Sequence, residues 1–189
     1  MNICNILTGT RALGAVVVFI LLALYTPQQR WLMDVALAVF IASAFTDYLD
    51  GVLARWLKLE TTFGRIADPF TDKLLVCGTF VFLLPLALHL LPSWVVAVVI
   101  MREFLISGIR SYVESQGLAF GALLMGKMKV FVQYVTLSFL IFCVGHQDVG
   151  RWLPTLTEVL VYVMVGVTAA SAVQYLLRAA RILKGHKIV

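Results

Sequence analysis

Six stretches of the chain, at roughly 7–26, 32–57, 66–91, 94–115, 121–144 and 153–183, meet or approach the length that an α-helix needs to cross a bilayer core. That length is about 20 residues at about 1.5 Å of rise each. Pro27, Pro92 and Pro154 mark turns between the stretches, and Gly117, Gly121 and Gly126 loosen the fourth connection. Composition agrees, since 61% of the 189 residues are hydrophobic and 13% charged, with a mean hydropathy of +0.96, far outside the soluble range. The expectation is one all-α domain over residues 1–189, a polytopic membrane protein with six transmembrane helices. No internal repeat or low-complexity segment is visible.

The first stretch has the outline of a signal peptide, one arginine followed by an apolar run from Ala12 to about Tyr25. It lacks a cleavage site of small residues and is expected to be retained. Orientation follows from the basic residues, which concentrate on the cytoplasmic side of membrane proteins. With the N-terminus inside, Arg11, Arg55, Lys58, Arg65, Lys73, Arg102, Arg110, Lys127, Lys129, Arg178, Arg181, Lys184 and Lys187 fall at cytoplasmic ends, leaving only Arg30 and Arg151 outside. Both termini are therefore placed in the cytoplasm, and a bacterial inner membrane is the expected location.

The net charge of +5 is spread over segment ends and forms no basic run, so an anionic membrane surface is a better partner than nucleic acid. Cys4, Cys77 and Cys143 have no paired spacing and are expected to pack as small apolar groups. His89, His146 and His186 share no ligand spacing and are assigned no chemistry. Gln174 and Tyr175 precede Arg178, Arg181 and Lys184 in a stretch that reads as a span with a basic tail held by anionic lipid.

Against this background the stretch from Asp47 to Asp72, DYLDGVLARWLKLETTFGRIADPFTD, holds five of the chain's ten acidic residues, four of them aspartates. Helical residues three and four apart share a face. Asp47, Asp50, Gly51 and Ala54 therefore form one stripe, and Gly64, Asp68 and Asp72 another. Asp50 lies seven residues before the helix end near Leu57, or about 10 Å below the cytoplasmic end. An ionisable group there costs ~2.5 kcal/mol or more and usually faces the bundle interior. The expected setting is a polar cavity open to the cytoplasm.

Four carboxylates on facing helices cannot all stay ionised without cations. Oxygen-only ligation, with no His or Cys nearby, suits a hard divalent ion such as Mg²⁺, Mn²⁺ or Ca²⁺ rather than zinc. Gly51 and Ala54 leave room beside the acids for a ligand, and Arg55 adds a fixed positive charge. These features describe a pocket for a metal-bound polyphosphate. An acidic helix pair neutralised by Lys and Arg would explain one or two acids, but not four in this register.

Asp47, Asp50, Gly51, Ala54, Arg55, Gly64, Asp68 and Asp72 match without gap or substitution the motif D-x₂-D-G-x₂-A-R-x₈-G-x₃-D-x₃-D, and the chain so resembles the CDP-alcohol phosphatidyltransferase family. The resemblance implies a membrane enzyme, homodimeric in the family's manner, that moves a phosphatidyl group from a CDP-diacylglycerol donor to an alcohol and releases CMP. Its Asp47, Asp50, Asp68 and Asp72 would hold one or two Mg²⁺ or Mn²⁺ ions, with Asp72 also the general base. Gly51, Ala54, Arg55 and Gly64 would shape the donor pocket.

Two further stretches, REFLISGIRSYVESQG and GKMKVFVQ, are similar to the R-E-x₃-S-x₂-R-x₆-G and G-K-x-K-T-x₂-Q segments of the family's phosphatidylglycerophosphate synthases. This narrows the implied acceptor to sn-glycerol 3-phosphate, with Arg102, Arg110, Lys127 and Lys129 as candidates for its phosphate. Val130 stands where those synthases commonly have Thr, and Cys4 where they commonly have Pro. Asn5, Thr8 and Arg11 follow their N-x₂-T-x₂-R start, so Thr8 and Arg11 are candidates for closing the donor pocket; taken alone, they read as a capped helix start with a snorkelling arginine. The same signature also serves transfer to serine, inositol phosphate or phosphatidylglycerol. A cation pathway lined by buried acids is an alternative of another class, but it gives Gly51, Ala54, Arg55 and Gly64 no purpose.

The division of labour among the aspartates is testable by CMP release and Mn²⁺ binding on purified protein. Asp72→Asn should abolish turnover and leave donor and metal binding largely intact, whereas Asp50→Asn should weaken metal and donor binding together. Near-normal turnover in the first variant, or unchanged metal affinity in the second, would reverse the assignment.

Overall fold

A computed structural model describes the backbone of residues 3–57, 62–118, 120–121 and 123–186, with side chains for 9, 10, 12–46 and 73–184 within those ranges. Six helices follow in order: α1 (Ile3–Ala23), α2 (Trp31–Leu57), α3 (Thr62–Leu83), α4 (Ser93–Ser115), α5 (Leu124–Gly145) and α6 (Trp152–His186). There is no strand among the described residues. The all-α reading and the six elements therefore stand. α5 and the Trp152–Lys184 part of α6 are long and apolar enough to cross a membrane.

Three local expectations are corrected. The third helix was expected to run to residue 91 but ends at Leu83. Pro85 cannot donate to a helical carbonyl and disfavours α geometry at Leu84, so residues 84–92 form turns instead. Pro154 does not mark a turn: it lies in the first turn of α6, where a missing N–H costs nothing. Gly117 does not loosen its connection either. At φ +74° it closes α4, its N–H donating to Glu114 O (3.0 Å) while Leu118 N–H donates to Val113 O (3.4 Å).

One end of the bundle is tied by its connections. Tyr25 Oη donates to Val144 O at 2.9 Å, His146 Nε2 lies 3.6 Å from Asp34 Oδ1, and Arg30 pairs with Asp148. The hydrogen bond and charge of Asp148 raise the Arg30 pKa above its ordinary value. Both partners are exposed, so the pair adds little stability. The opposite end carries the N-terminal turns of α1, the C-terminal turns of α2 and α4, the first turns of α3 and α5, and the long basic end of α6.

Between the two ends, Leu22, Met33, Phe40, Leu75, Phe80, Leu137, Ile141 and Met164 form the main apolar core. A second, smaller cluster of Ile106, Val113, Phe120, Tyr175 and Ala179 closes the basic end between α4 and α6. Outward-facing Phe104, Phe131, Leu13 and Leu177 are more than half exposed, as suits a chain whose surroundings are apolar.

α1 packs on α3 where Gly78 has no side chain, and the Phe19 ring fills that space. Phe19 also stacks on Phe82, one turn further along α3, with centroids 5.0 Å apart and planes 9° apart. A Cβ at position 78 would overlap the Phe19 ring itself. Gly78→Leu should therefore cost about 1–3 kcal/mol by overpacking. A lowered melting temperature in detergent would register this, and an unchanged one would mean that the α1–α3 contact yields freely.

Candidate active site

The backbone places Asp47, Asp50, Gly51, Ala54 and Arg55 in the last turns of α2 and Gly64, Asp68 and Asp72 in the first turns of α3. Both segments are helical, as the spacing requires. The side chains of these residues, and of Thr8 and Arg11 in α1, lie outside the described residues. Among the described residues no three of His, Cys, Asp and Glu come together, so any metal reading rests on the four aspartates.

The side chain that follows the signature is described. Lys73, next to Asp72, donates to Ser107 Oγ on α4, and Ser107 Oγ donates to Glu103 O at 2.7 Å. Glu103 is the centre of a buried ionic cluster. Its carboxylate accepts from Lys129 on α5 and from Arg102 NH1 at 3.3 Å. Arg102 NH2 in turn donates to Ser171 Oγ on α6 at 2.9 Å. Arg102, Glu103 and Lys129 are only 8%, 7% and 4% exposed.

Arg110, two turns from Arg102 on α4, joins the cluster through an aromatic ring. The guanidinium carbons of Arg102 and Arg110 lie 5.7 and 5.9 Å from the centroid of Tyr175. Tyr175 packs against Phe120, over which Arg178 lies at 5.9 Å. Among the described residues Glu103 is the one carboxylate of this cluster: buried Arg102 and Lys129 pair with it, while half-buried Lys73 and Arg110 join through Ser107 and the Tyr175 ring. Two buried cations sharing one carboxylate leave a positive charge that an anion would balance.

Three of the four candidates for the acceptor phosphate, Arg102, Arg110 and Lys129, are brought together. Lys127 is not: two residues before Lys129 on a helix it points about 200° away, and it is exposed. Sequence reasoning gave no role to Glu103, Ser107, Ser171 or Tyr175, and none to Lys73 beyond its place in the charge count. Their signal was polar residues at four-residue spacing inside apolar spans, namely Glu103 with Ser107 and Ser171 with Tyr175.

Residues 1–179 match the sequence model of the family described as CDP-alcohol phosphatidyltransferase. The chain belongs to the CDP-alcohol phosphatidyltransferase family. Among its curated relatives, a CDP-diacylglycerol–glycerol-3-phosphate 3-phosphatidyltransferase of Bacillus subtilis is 39% identical over 103 residues, covering 54% of this chain and 52% of that protein. One of the same name from Rickettsia typhi is 30% identical over 176 residues, covering 92% of this chain and 94% of that protein. A rice protein named cardiolipin synthase (CMP-forming) is 33% identical over 180 residues, covering 87% of this chain and 54% of that protein. The match thus spans about half the length of the Bacillus and rice relatives and nearly all of the Rickettsia one.

In this family member, removing the Glu103 charge leaves two buried cations without their shared partner, a loss of about 3–5 kcal/mol where a buried pair is broken. Glu103→Gln should melt well below the wild type in detergent, and the double change Glu103→Gln with Lys129→Met should recover part of the loss. Co-melting of the single variant with the wild type would show that the carboxylate does not hold the cluster.

Proposed function

We infer that this phosphatidyltransferase moves the phosphatidyl group of CDP-diacylglycerol to sn-glycerol 3-phosphate, giving phosphatidylglycerophosphate and CMP. The observation that carries the reading is the buried cation cluster, joined by the Lys73–Ser107 contact to the residue that follows Asp72. A phosphate dianion beside Arg102, Arg110 and Lys129 would meet charge-assisted donors in a site of low polarity. Exposed Lys127 would draw the anion in from outside. The names of the Bacillus and Rickettsia relatives support the same donor and acceptor.

Asp47, Asp50, Asp68 and Asp72 form an all-carboxylate donor set on helical backbone and fit a hard divalent ion, and they would hold one or two Mg²⁺ or Mn²⁺ ions. Bound there, the metal supplies charge neutralisation for the donor pyrophosphate and for CMP as it leaves. Gly51, Ala54, Arg55 and Gly64 shape the space for the nucleotide, with Thr8 and Arg11 closing it. The acceptor cluster holds glycerol 3-phosphate by its phosphate, and Asp72 takes the proton of the 1-hydroxyl. The freed oxygen forms its bond to the phosphorus that bears diacylglycerol, while the bond from that phosphorus to CMP breaks and CMP keeps the electron pair.

All six helices would span the bilayer, with both termini and a polar cavity on the cytoplasmic side of a bacterial inner membrane, in a homodimer. The distribution of basic residues supports that orientation, because the end bearing the loops at 24–30 and 146–151 carries only Arg30 and Arg151 while thirteen Lys and Arg fall at the other ends. The name of the rice relative favours phosphatidylglycerol as the second acceptor to test. Its phosphate diester carries a single charge, however, and suits a cluster of four cations less well than a monoester dianion.

CMP release by purified protein with CDP-diacylglycerol and Mg²⁺ tests the reading when glycerol 3-phosphate, phosphatidylglycerol, serine and inositol phosphate are supplied in turn. Release should depend on glycerol 3-phosphate. Release with another alcohol alone would replace the acceptor and keep the aspartate chemistry; none from folded, metal-loaded protein would remove the donor.

A further inference from the structure

Arg102 and Arg110 stand eight residues apart on α4, about 12 Å along its axis, a separation that does not by itself bring two side chains to one point. Both guanidinium groups nevertheless lie within 6 Å of one ring, that of Tyr175 on α6. Two like charges so placed repel each other, and the negative face of the ring offsets that repulsion. In each arginine the buried Nε–H has no hydrogen-bond partner among the described residues, and Arg102 is itself more than nine-tenths buried. A buried donor left without a partner in a folded protein calls for a ligand.

The ring is held in place. Tyr175 is 3% exposed, its Oη accepts the Leu123 N–H at 3.0 Å, and its edge lies so close to Gly126 that a Cβ there would come within 2.6 Å of Oη. Phe120 packs against it with centroids 5.7 Å apart. The hydroxyl is thus committed to the start of α5, and the π-face is left to the two arginines.

We propose that Tyr175 is a positioning residue for the acceptor site: its ring gathers Arg102 and Arg110 so that their free Nε–H groups bind the phosphate of the acceptor alcohol. The inference rests on the reading of Arg102 and Arg110 as acceptor ligands. It assigns selectivity for a phosphorylated acceptor to an aromatic residue that need not touch the substrate. Because the ring acts through its electrons, its effect scales with them at constant shape, and this separates positioning from simple packing.

The test replaces Tyr175 by phenylalanine and then by mono-, di- and trifluorinated phenylalanines, which weaken the negative face stepwise with little change in volume. The KM for glycerol 3-phosphate should climb along the series by roughly tenfold in all, while kcat and the KM for CDP-diacylglycerol stay constant, the pattern of lost ground-state binding. If Tyr175→Phe does not fold, fluorinated tyrosines that keep the hydroxyl give the same readout. A flat acceptor KM across the series, with Arg110→Gln still raising it, would leave the acceptor site standing and overturn the role of the ring. An acceptor KM unmoved by Arg110→Gln would remove the acceptor reading and this inference with it.

Discussion

The Glu103 carboxylate, shared by Lys129 and Arg102 in a place with almost no access to solvent, joins α4 to α5 and, through Arg102 and Ser171, to α6. Burying charge in an apolar bundle costs free energy that only close pairing offsets, and among the described residues the two buried cations share one counter-ion. A fold that stabilised itself alone would do better with apolar residues at these positions. On the proposed reading an anion would add negative charge here, and the site and the stability of this half of the bundle would be coupled.

The opposite half is assembled differently. Around α1, contact depends on the absence of side chains, with Phe19 lying over Gly78 and Ser43 Oγ set against Gly14; Met33 likewise lies against Gly145 where α2 meets α5. Such close packing suits helices in lipid, where burial of apolar surface gives little drive for association and shape complementarity must serve instead. The loops at residues 24–30 and 146–151 tie this end through Tyr25, Arg30 and Asp34. At the basic end the described contacts are mainly polar and aromatic.

Most of the architecture was legible because span length and punctuation are local properties. The six stretches locate all six helices, and the boundaries fail where a second local rule competes, as at Pro85, or where a proline falls on a helix start, as at Pro154. The aspartate signature pointed to chemistry because its spacing puts Asp47 and Asp50 on one helix face and Asp68 and Asp72 on another, although their side chains lie outside the described residues. The basic cluster was legible only in part. Arg102, Arg110 and Lys129 were singled out, but their partners come from other helices, Ser171 and Tyr175 lying some seventy residues beyond Arg102. No periodicity reports a contact of that range, and Tyr175 therefore read as part of a membrane anchor. Lys127 and Lys129 looked equivalent in sequence, and only helix phase separates the exposed one from the buried one.

The link from Lys73 to Ser107 gives the two halves of the chemistry a fixed relation. Asp72 precedes Lys73 on α3, and Ser107 lies one turn from Glu103 on α4, so the position of the last aspartate and that of the cation cluster are set by one contact between two helices. For a reaction in which a hydroxyl must approach phosphorus in line, this matters more than affinity. On the proposed reading, a phosphate held by the cluster would carry its own hydroxyl within the reach of a three-carbon skeleton, and a constant offset between the cluster and Asp72 would turn phosphate binding into orientation of the attacking oxygen. An acceptor of different length, held by the same cations, would bind and yet present its hydroxyl in the wrong place. Discrimination among alcohols would then follow from the spacing between Asp72 on α3 and the α4–α6 cations rather than from a separate pocket that reads the alcohol itself.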